Sequence, residues 1–227
     1  MFEWFLGVGG AGAAGLKRMR TQFGEMLDAG RHAFSTAAHA FLGGTDPEAI
    51  REDLFQTDKR INRAERQIRR EIVVHVSVQG VGDFPACLVL MSIVKDAERI
   101  GDYAKNLFDL TQLAPHAPAG PYGEDLAVLK DRIHDLMATC HQAVNANQKE
   151  QAKDVIRTAQ RIEDHCDEKV RLLIEGAGEP AMAPTYVLAY RYFKRVVSHV
   201  RNIASSVVQP VHKLDFTSKF AKEEPQE

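Results

Sequence analysis

The chain has little cysteine and no excess of charge of either sign. Its three cysteines, Cys87, Cys140 and Cys166, are odd in number, far apart and form no C-x-x-C pair. A disulfide scaffold and a thiolate zinc site are therefore poor readings, and a reducing cytoplasm is the default compartment. Lys and Arg total 29 against 31 Asp and Glu, a formal net charge of −2. That balance argues against a protein held on nucleic acid by a basic surface. The apolar stretch near the start, Phe2 to Gly15, falls short of the ~20 residues a membrane span needs. It precedes its basic residues Lys17, Arg18 and Arg20, the reverse of a secretory signal. Strand-like alternation is nearly absent. No G-x-S-x-G elbow and no phosphate-cradling G-x-x-x-x-G-K-[ST] loop occurs. No Glu has a His three residues later, which excludes a ferritin-like di-iron pattern.

What remains is a chain of 227 residues, 44% hydrophobic and 26% charged. It can bury a sizeable core as one large domain or two small ones. Long proline-free stretches separate Pro47 from Pro85, Pro121 from Pro180 and Pro184 from Pro210. They are rich in Ala, Leu, Arg, Glu and Gln, which favour helix. The expected helices run over 16–42, 47–78, 84–112, 124–145, 149–175 and 185–213. Asp46-Pro47-Glu48 is a helix start: an Asx cap, proline at the first position, then an acid. The β-branched run Ile72 to Val78 ends a long charged helical pattern and is read as helix.

The pattern repeats. Arg99-Ile100…Lys105-Asn106-Leu107 recurs in register as Arg195-Val196…Arg201-Asn202-Ile203, and Thr57 to Ile61 resembles Thr158 to Ile162. The expected fold is all-α: two tandem three-helix repeats forming an elongated bundle. The expected organisation is an apolar, Gly-rich arm (1–15), a first repeat (16–113), a Pro/Gly linker (114–123), a second, degenerate repeat (124–214) and a charged tail (215–227). In the third helix Leu90, Val94, Ala97, Gly101, Ala104 and Phe108 form a heptad-like seam. Gly101 within it costs about 1 kcal/mol relative to alanine, which a close helix–helix approach would offset.

Carboxylates flank that seam. Glu98 and Asp102 share one helix face, and Asp58, Asn62 and Glu65 line an edge of the second helix. Facing edges of this kind suit hard cations, which take oxygen ligands. They equally suit pairing with the neighbouring Arg60, Arg63, Arg66 and Arg99. Glu163-Asp164-His165-Cys166-Asp167-Glu168 contains every common ligand type, but consecutive helical residues point all round the axis. It is read as a solvated stretch with Cys166 near the core. His199 is read as a capping or partner-facing residue.

Asp96-Ala97-Glu98-Arg99-Ile100-Gly101-Asp102-Tyr103-Ala104-Lys105-Asn106-Leu107 resembles the signature of PhoU-type phosphate regulators, D-x-E-R-I-G-D-x-A-x-N-[IL]. Asp58-x-x-Ile61-Asn62-x-x-Glu65 is similar to that family's second-helix pattern. The resemblance covers roughly residues 20–210. It implies a non-enzymatic, cytoplasmic helical bundle that restrains phosphate uptake. Its partners would be a phosphate transporter ATPase or permease and a phosphate-sensing histidine kinase, without nucleic acid. It also implies metal binding, by iron, zinc or another divalent or trivalent cation. Carried over residue by residue, the ligands fall on Glu98 and Asp102, with Asp58 and Asn62 as the second-helix counterpart.

The second half departs from the pattern. Lys194, Ser198 and Ala159 stand where the first has Glu98, Asp102 and Asp58, and Glu163 replaces Asn62. A lysine ammonium cannot ligate as a cation, so one family-type metal site at most is expected, in the first half. Three readings stay open beside the regulator. They are an accessory subunit of another phosphate or anion permease, a carboxylate metal protein of unrelated function, and a plain adaptor. Phe2, Trp4, Phe5 and Leu6 of the arm could serve homodimer contacts or peripheral membrane proximity.

Overall fold

The computed structural model describes residues 11–114, 116–177 and 180–215. They form the helices α1 (Ala11–Phe41), α2 (Pro47–Gln79), α3 (Phe84–Leu113), α4 (Gly120–Asn145), α5 (Lys149–Ile174) and α6 (Ala183–Val208). A 3-10 turn over Val211–Lys213 follows, and there is no strand among the described residues. The all-α expectation holds. At 33 residues, α2 is ~50 Å long.

Local chemistry sets the ends. The Asp46 side chain accepts from the Glu48 N–H at 3.0 Å, with Pro47 at the first helical position. Ile72 to Val78 stays helical because Ile72 and His75 are buried on the core side of α2. Gly80 then stops the helix at φ +78°, which a glycine adopts without a Cβ clash. Three starts come earlier than expected; α6 begins at Ala183 rather than 185 and ends at Val208 rather than 213, just before Pro210. Helix α4 begins at Gly120, inside the Pro/Gly segment 114–123, because Pro121 sits in its first turn, where a missing N–H costs nothing. Helix α1 begins at Ala11, ahead of the expected 16, where Ala11, Ala13 and Ala14 favour helix against the cost of Gly12 and Gly15. Most of the expected arm (1–10) and of the expected tail (216–227) lies outside the described residues.

Three helices pack on one another in each half: α1, α2 and α3, then α4, α5 and α6. The halves join where α3 meets α6 and α1 meets α4. The seam of α3 is buried throughout, from Leu90 to Phe108. At Gly101 a Cβ would lie 3.2 Å from Ile61 Cδ1, so the glycine permits the close approach of α2 to α3. Phe34 of α1 meets Phe193 of α6 edge-on, ring centroids 5.2 Å apart. That contact fuses the cores of the two repeats. Free thiols play no surface role: Cys87, Cys140 and Cys166 are all buried. Burial pushes the Cys140 and Cys166 thiols up to about 12, so they stay protonated and inert as nucleophiles.

Candidate functional site

The α2–α3 hairpin brings Asp58, Asn62, Glu98 and Asp102 to one edge. Their spacing on two antiparallel helices, held close by Gly101, is what converges them. Each has a neighbour already. The Lys105 ammonium lies 2.9 Å from Asp58 Oδ1 and 3.3 Å from Asp102 Oδ1, tying α2 to α3. Asn62 Nδ2 donates to Asp58 Oδ2 at 3.1 Å. Arg99 Nη1 donates to Asp102 Oδ2 at 3.1 Å. Glu65 pairs with Arg69 at 2.8 Å. Lys105 itself, despite burial, is held above the usual lysine range by Asp58 and Asp102.

Glu98 is the member least compensated. Burial, then repulsion from Asp102 and Glu65, push its carboxyl above the usual range, and Arg99 at 3.7 Å offsets this only in part. Glu98 and Asp102 are therefore the pair that an added cation would relieve, with water completing its coordination shell. Asp58 and Asn62 have their oxygen and amide groups engaged by Lys105 and by each other. An ion placed between the two helices would have to displace the Lys105 ammonium. Among the described residues, no group of three or more His, Cys, Asp and Glu is arranged to hold a metal ion.

The second repeat builds the same edge differently. Glu163 is buried and pairs with Arg201 at 2.7 Å, while Ser198 Oγ donates to its other oxygen at 2.5 Å. Lys194 pairs with Asp167 of α5. The stretch Glu163 to Glu168 is thus only partly solvated. Cys166 is in the core as expected, but Glu163 is also buried, and His165 Nε2 lies 2.9 Å from Asp125 Oδ2 on α4.

The structure adds a junction that residue spacing did not reveal. Asp96, inside the first-half motif, is buried. Its Oδ1 lies 2.7 Å from His199 Nδ1 and accepts from Asn202 Nδ2 at 3.0 Å. His199, expected as a capping or partner-facing residue, instead bridges the repeats and stacks on Tyr103 at 5.8 Å. The Arg195 guanidinium also lies over the Tyr103 ring, 5.7 Å from its centroid, and its Nε donates to the Tyr103 hydroxyl at 3.1 Å. A signal was present: Tyr103 and His199 occupy equivalent places in the two copies of the motif. Equivalent residues meet where two copies face each other about a pseudo-two-fold axis.

A surface cleft of about 340 Å³ lies between α1 and α2, lined by Glu25, Met26, Asp28, Ala29, Arg60, Ile61 and Ala64. It contains none of the four carried-over ligands. Among the described residues, the α2–α3 edge and its counterpart in the second repeat are ion-paired helical faces.

Residues 23–111 match the family model described as PhoU domain. A relative from Synechocystis sp., described as a phosphate-specific transport system accessory protein PhoU homolog, is 26% identical over 164 residues. The match covers 68% of this chain and 71% of that protein. A Burkholderia sp. relative of the same description is 26% identical over 205 residues, covering 84% and 86%. Among solved structures, the phosphate transport system regulatory protein PhoU from Streptococcus pneumoniae superposes with a TM-score of 0.73. Its sequence identity is 16%, and the match covers 93% of this chain and 97% of that one. At that identity the structural likeness speaks for the fold.

Proposed function

From a chain that carries a PhoU domain and has the fold of PhoU proteins, we propose a regulator of phosphate transport that acts by docking. The observation that carries this reading is the domain match over 23–111, which encloses the whole motif from Asp96 to Leu107. The relatives described as accessory proteins of phosphate-specific transport systems support it. A rigid helical face would bind the cytoplasmic ATPase or permease of a phosphate transporter, or a phosphate-sensing histidine kinase. Phosphate status would decide which contact wins, through a difference in affinity between partner states. The ion-paired faces of α2 and α3 suit such a role, because they present fixed charge without a reactive centre.

Metal assistance belongs to the same proposal in its narrower form. Glu98 and Asp102 would hold iron, zinc or another divalent or trivalent cation, whose positive charge would relieve their mutual repulsion. The chain's own part is to keep the two carboxylates one turn apart on α3 and to move Lys105 aside.

The test of the regulatory reading is deletion of the gene in its host, followed by phosphate uptake and a phosphate-starvation reporter in phosphate-replete medium. Unrestrained uptake or reporter activity, reversed by the wild-type gene, is expected. Unchanged uptake and reporter would overturn the reading. Elemental analysis of untagged protein, wild type against Glu98→Ala/Asp102→Ala, tests the metal. Stoichiometric metal lost in the variant supports it, and equal metal content removes it.

A further inference from the structure

One end of the first repeat is almost uncharged. Between Glu71 and Lys95 there is no Lys, Arg or Glu, and the one Asp, Asp83, has its carboxylate 2.9 Å from Nε2 of the one His, His75. These residues form the last turns of α2, the connecting loop and the first turns of α3. Much of their apolar surface faces outward. Val73, Val74, Val78 and Val81 are 61%, 57%, 71% and 82% exposed, and Phe84 and Leu88 are 43% and 40% exposed. Val74 and Val78 lie one turn apart on α2, as do Phe84 and Leu88 on α3. A protein otherwise rich in charge thus ends in an apolar cap, and exposed apolar clusters of this size mark interaction sites.

Behind the cap lies a cationic collar. The Arg18–Glu71 ion pair and the close approach of Gly15 to His75 place Lys17 beside the last turns of α2. The Lys105–Asp58 ion pair and the close approach of Gly101 to Ile61 place Lys95 level with residues near 68 on α2. Lys17, Arg66, Arg70 and Lys95 are all exposed. The nearby acids Glu65 and Glu71 are taken by Arg69 and Arg18, and the remaining one, Glu98 beside Glu65, is outnumbered by the four cations. The collar is therefore net positive. Helix α1 also enters the bundle at this end, and the sequence ahead of it carries Phe2, Trp4, Phe5 and Leu6.

We propose that the α2–α3 tip docks on an anionic lipid bilayer surface, its valines and Phe84 entering the headgroup boundary while Lys17, Arg66, Arg70 and Lys95 face the acidic headgroups. The order of the two features, apolar at the extremity and basic one or two turns behind, matches the order of the bilayer, acyl boundary first and charged headgroups above. A uniformly acidic protein surface would be met by the collar but would leave the cap in water. A second copy would bury the cap but set one positive collar against another. No helix of the described residues is long and apolar enough to cross a membrane, so the contact is peripheral. The proposal does not depend on the regulatory reading.

The experiment is co-sedimentation of the full chain with phosphatidylcholine vesicles and with mixed phosphatidylcholine–phosphatidylglycerol vesicles, at low and high salt. Binding to the mixed vesicles, weakened by salt, is expected. Val78→Ser/Val81→Ser/Phe84→Ser changes only exposed side chains, so circular dichroism and thermal melting should stay as in wild type while binding falls about tenfold or more. Lys17→Glu/Arg70→Glu should give a loss of similar size. Absence of wild-type binding would overturn the proposal. So would binding that survives the tip variant but is lost in Phe2→Ser/Trp4→Ser/Phe5→Ser, which would transfer the contact to the N-terminal segment. A tip variant that turns a dimer into a monomer by light scattering, with vesicle binding unchanged, would assign the cap to a second copy.

Discussion

The two repeats solve one electrostatic problem in two ways. In the first, carboxylates crowd the α2–α3 edge, and the Lys105 ammonium is shared between Asp58 and Asp102. In the second, Lys194 and Ser198 replace the α3 acids, and the remaining acid, Glu163, is buried against Arg201. Lys105 and Arg201 stand at equivalent places in the repeated motif. In both halves, then, a cation at the same turn of the third helix neutralises an acid of the second. The lesson is that the register of the fixed cation is retained while the acids around it change. The first edge keeps surplus negative charge and partial exposure, so it can still respond to an added cation. The second has become a closed internal pair.

Breaking the second pair should have the largest effect. Arg201→Met leaves Glu163, with its side chain only 4% exposed, as an unpaired buried charge. A loss of about 3–5 kcal/mol is expected in urea unfolding. A loss no greater than that of an exposed arginine would refute the contrast between closed and open edges. Lys105→Met should cost less, roughly 1–2 kcal/mol, because Asp58 and Asp102 retain some contact with water. It should also raise the affinity of the first edge for a divalent cation, read by calorimetric titration. Unchanged affinity would mean that Lys105 does not compete for that place.

The smallest effect sharpens the comparison by its sign. The carboxyl of Glu98 is raised in the folded chain by burial and by Asp102 and Glu65. The folded state therefore holds a proton more tightly there than the unfolded state. Stability is lost as pH rises from the ordinary carboxylate range through the raised value, and the penalty is complete above it. Glu98→Gln removes the charge, so it should stabilise the protein at neutral pH by about a few tenths of a kcal/mol. The advantage should shrink as pH falls through the Glu98 titration. A variant less stable than wild type at neutral pH would show that Glu98 gains more from its partners than it loses to repulsion.

Much of the fold was legible because its signals are local. Asp46-Pro47-Glu48 caps a helix through atoms two residues apart. The seam from Leu90 to Phe108 declares which face is buried. Gly101 in that seam announced a close neighbour, which proved to be Ile61. The start of α4 at Gly120 was less legible, since proline both breaks a helix and begins one. At the site, spacing brought Glu98 and Asp102 to one face, and the edge of the second helix, with the family resemblance, put Asp58 and Asn62 opposite them. Spacing could not show that Lys105, a motif position of no fixed identity, reaches both helices.

The sequence by itself determined six helices, their repetition and the acid-flanked seam, because cap chemistry, periodicity and proline placement act within a few residues. Only the tertiary structure decided which charges are partnered. Asp96 finds His199 and Asn202 across the repeat junction, and Glu163 goes inside with Arg201. The outward side chains of the α2–α3 tip, Val74, Val78 and Val81 among them, are left exposed. Such outcomes depend on which helix faces meet, and the free energy of a charge or an apolar side chain is set by what replaces water around it.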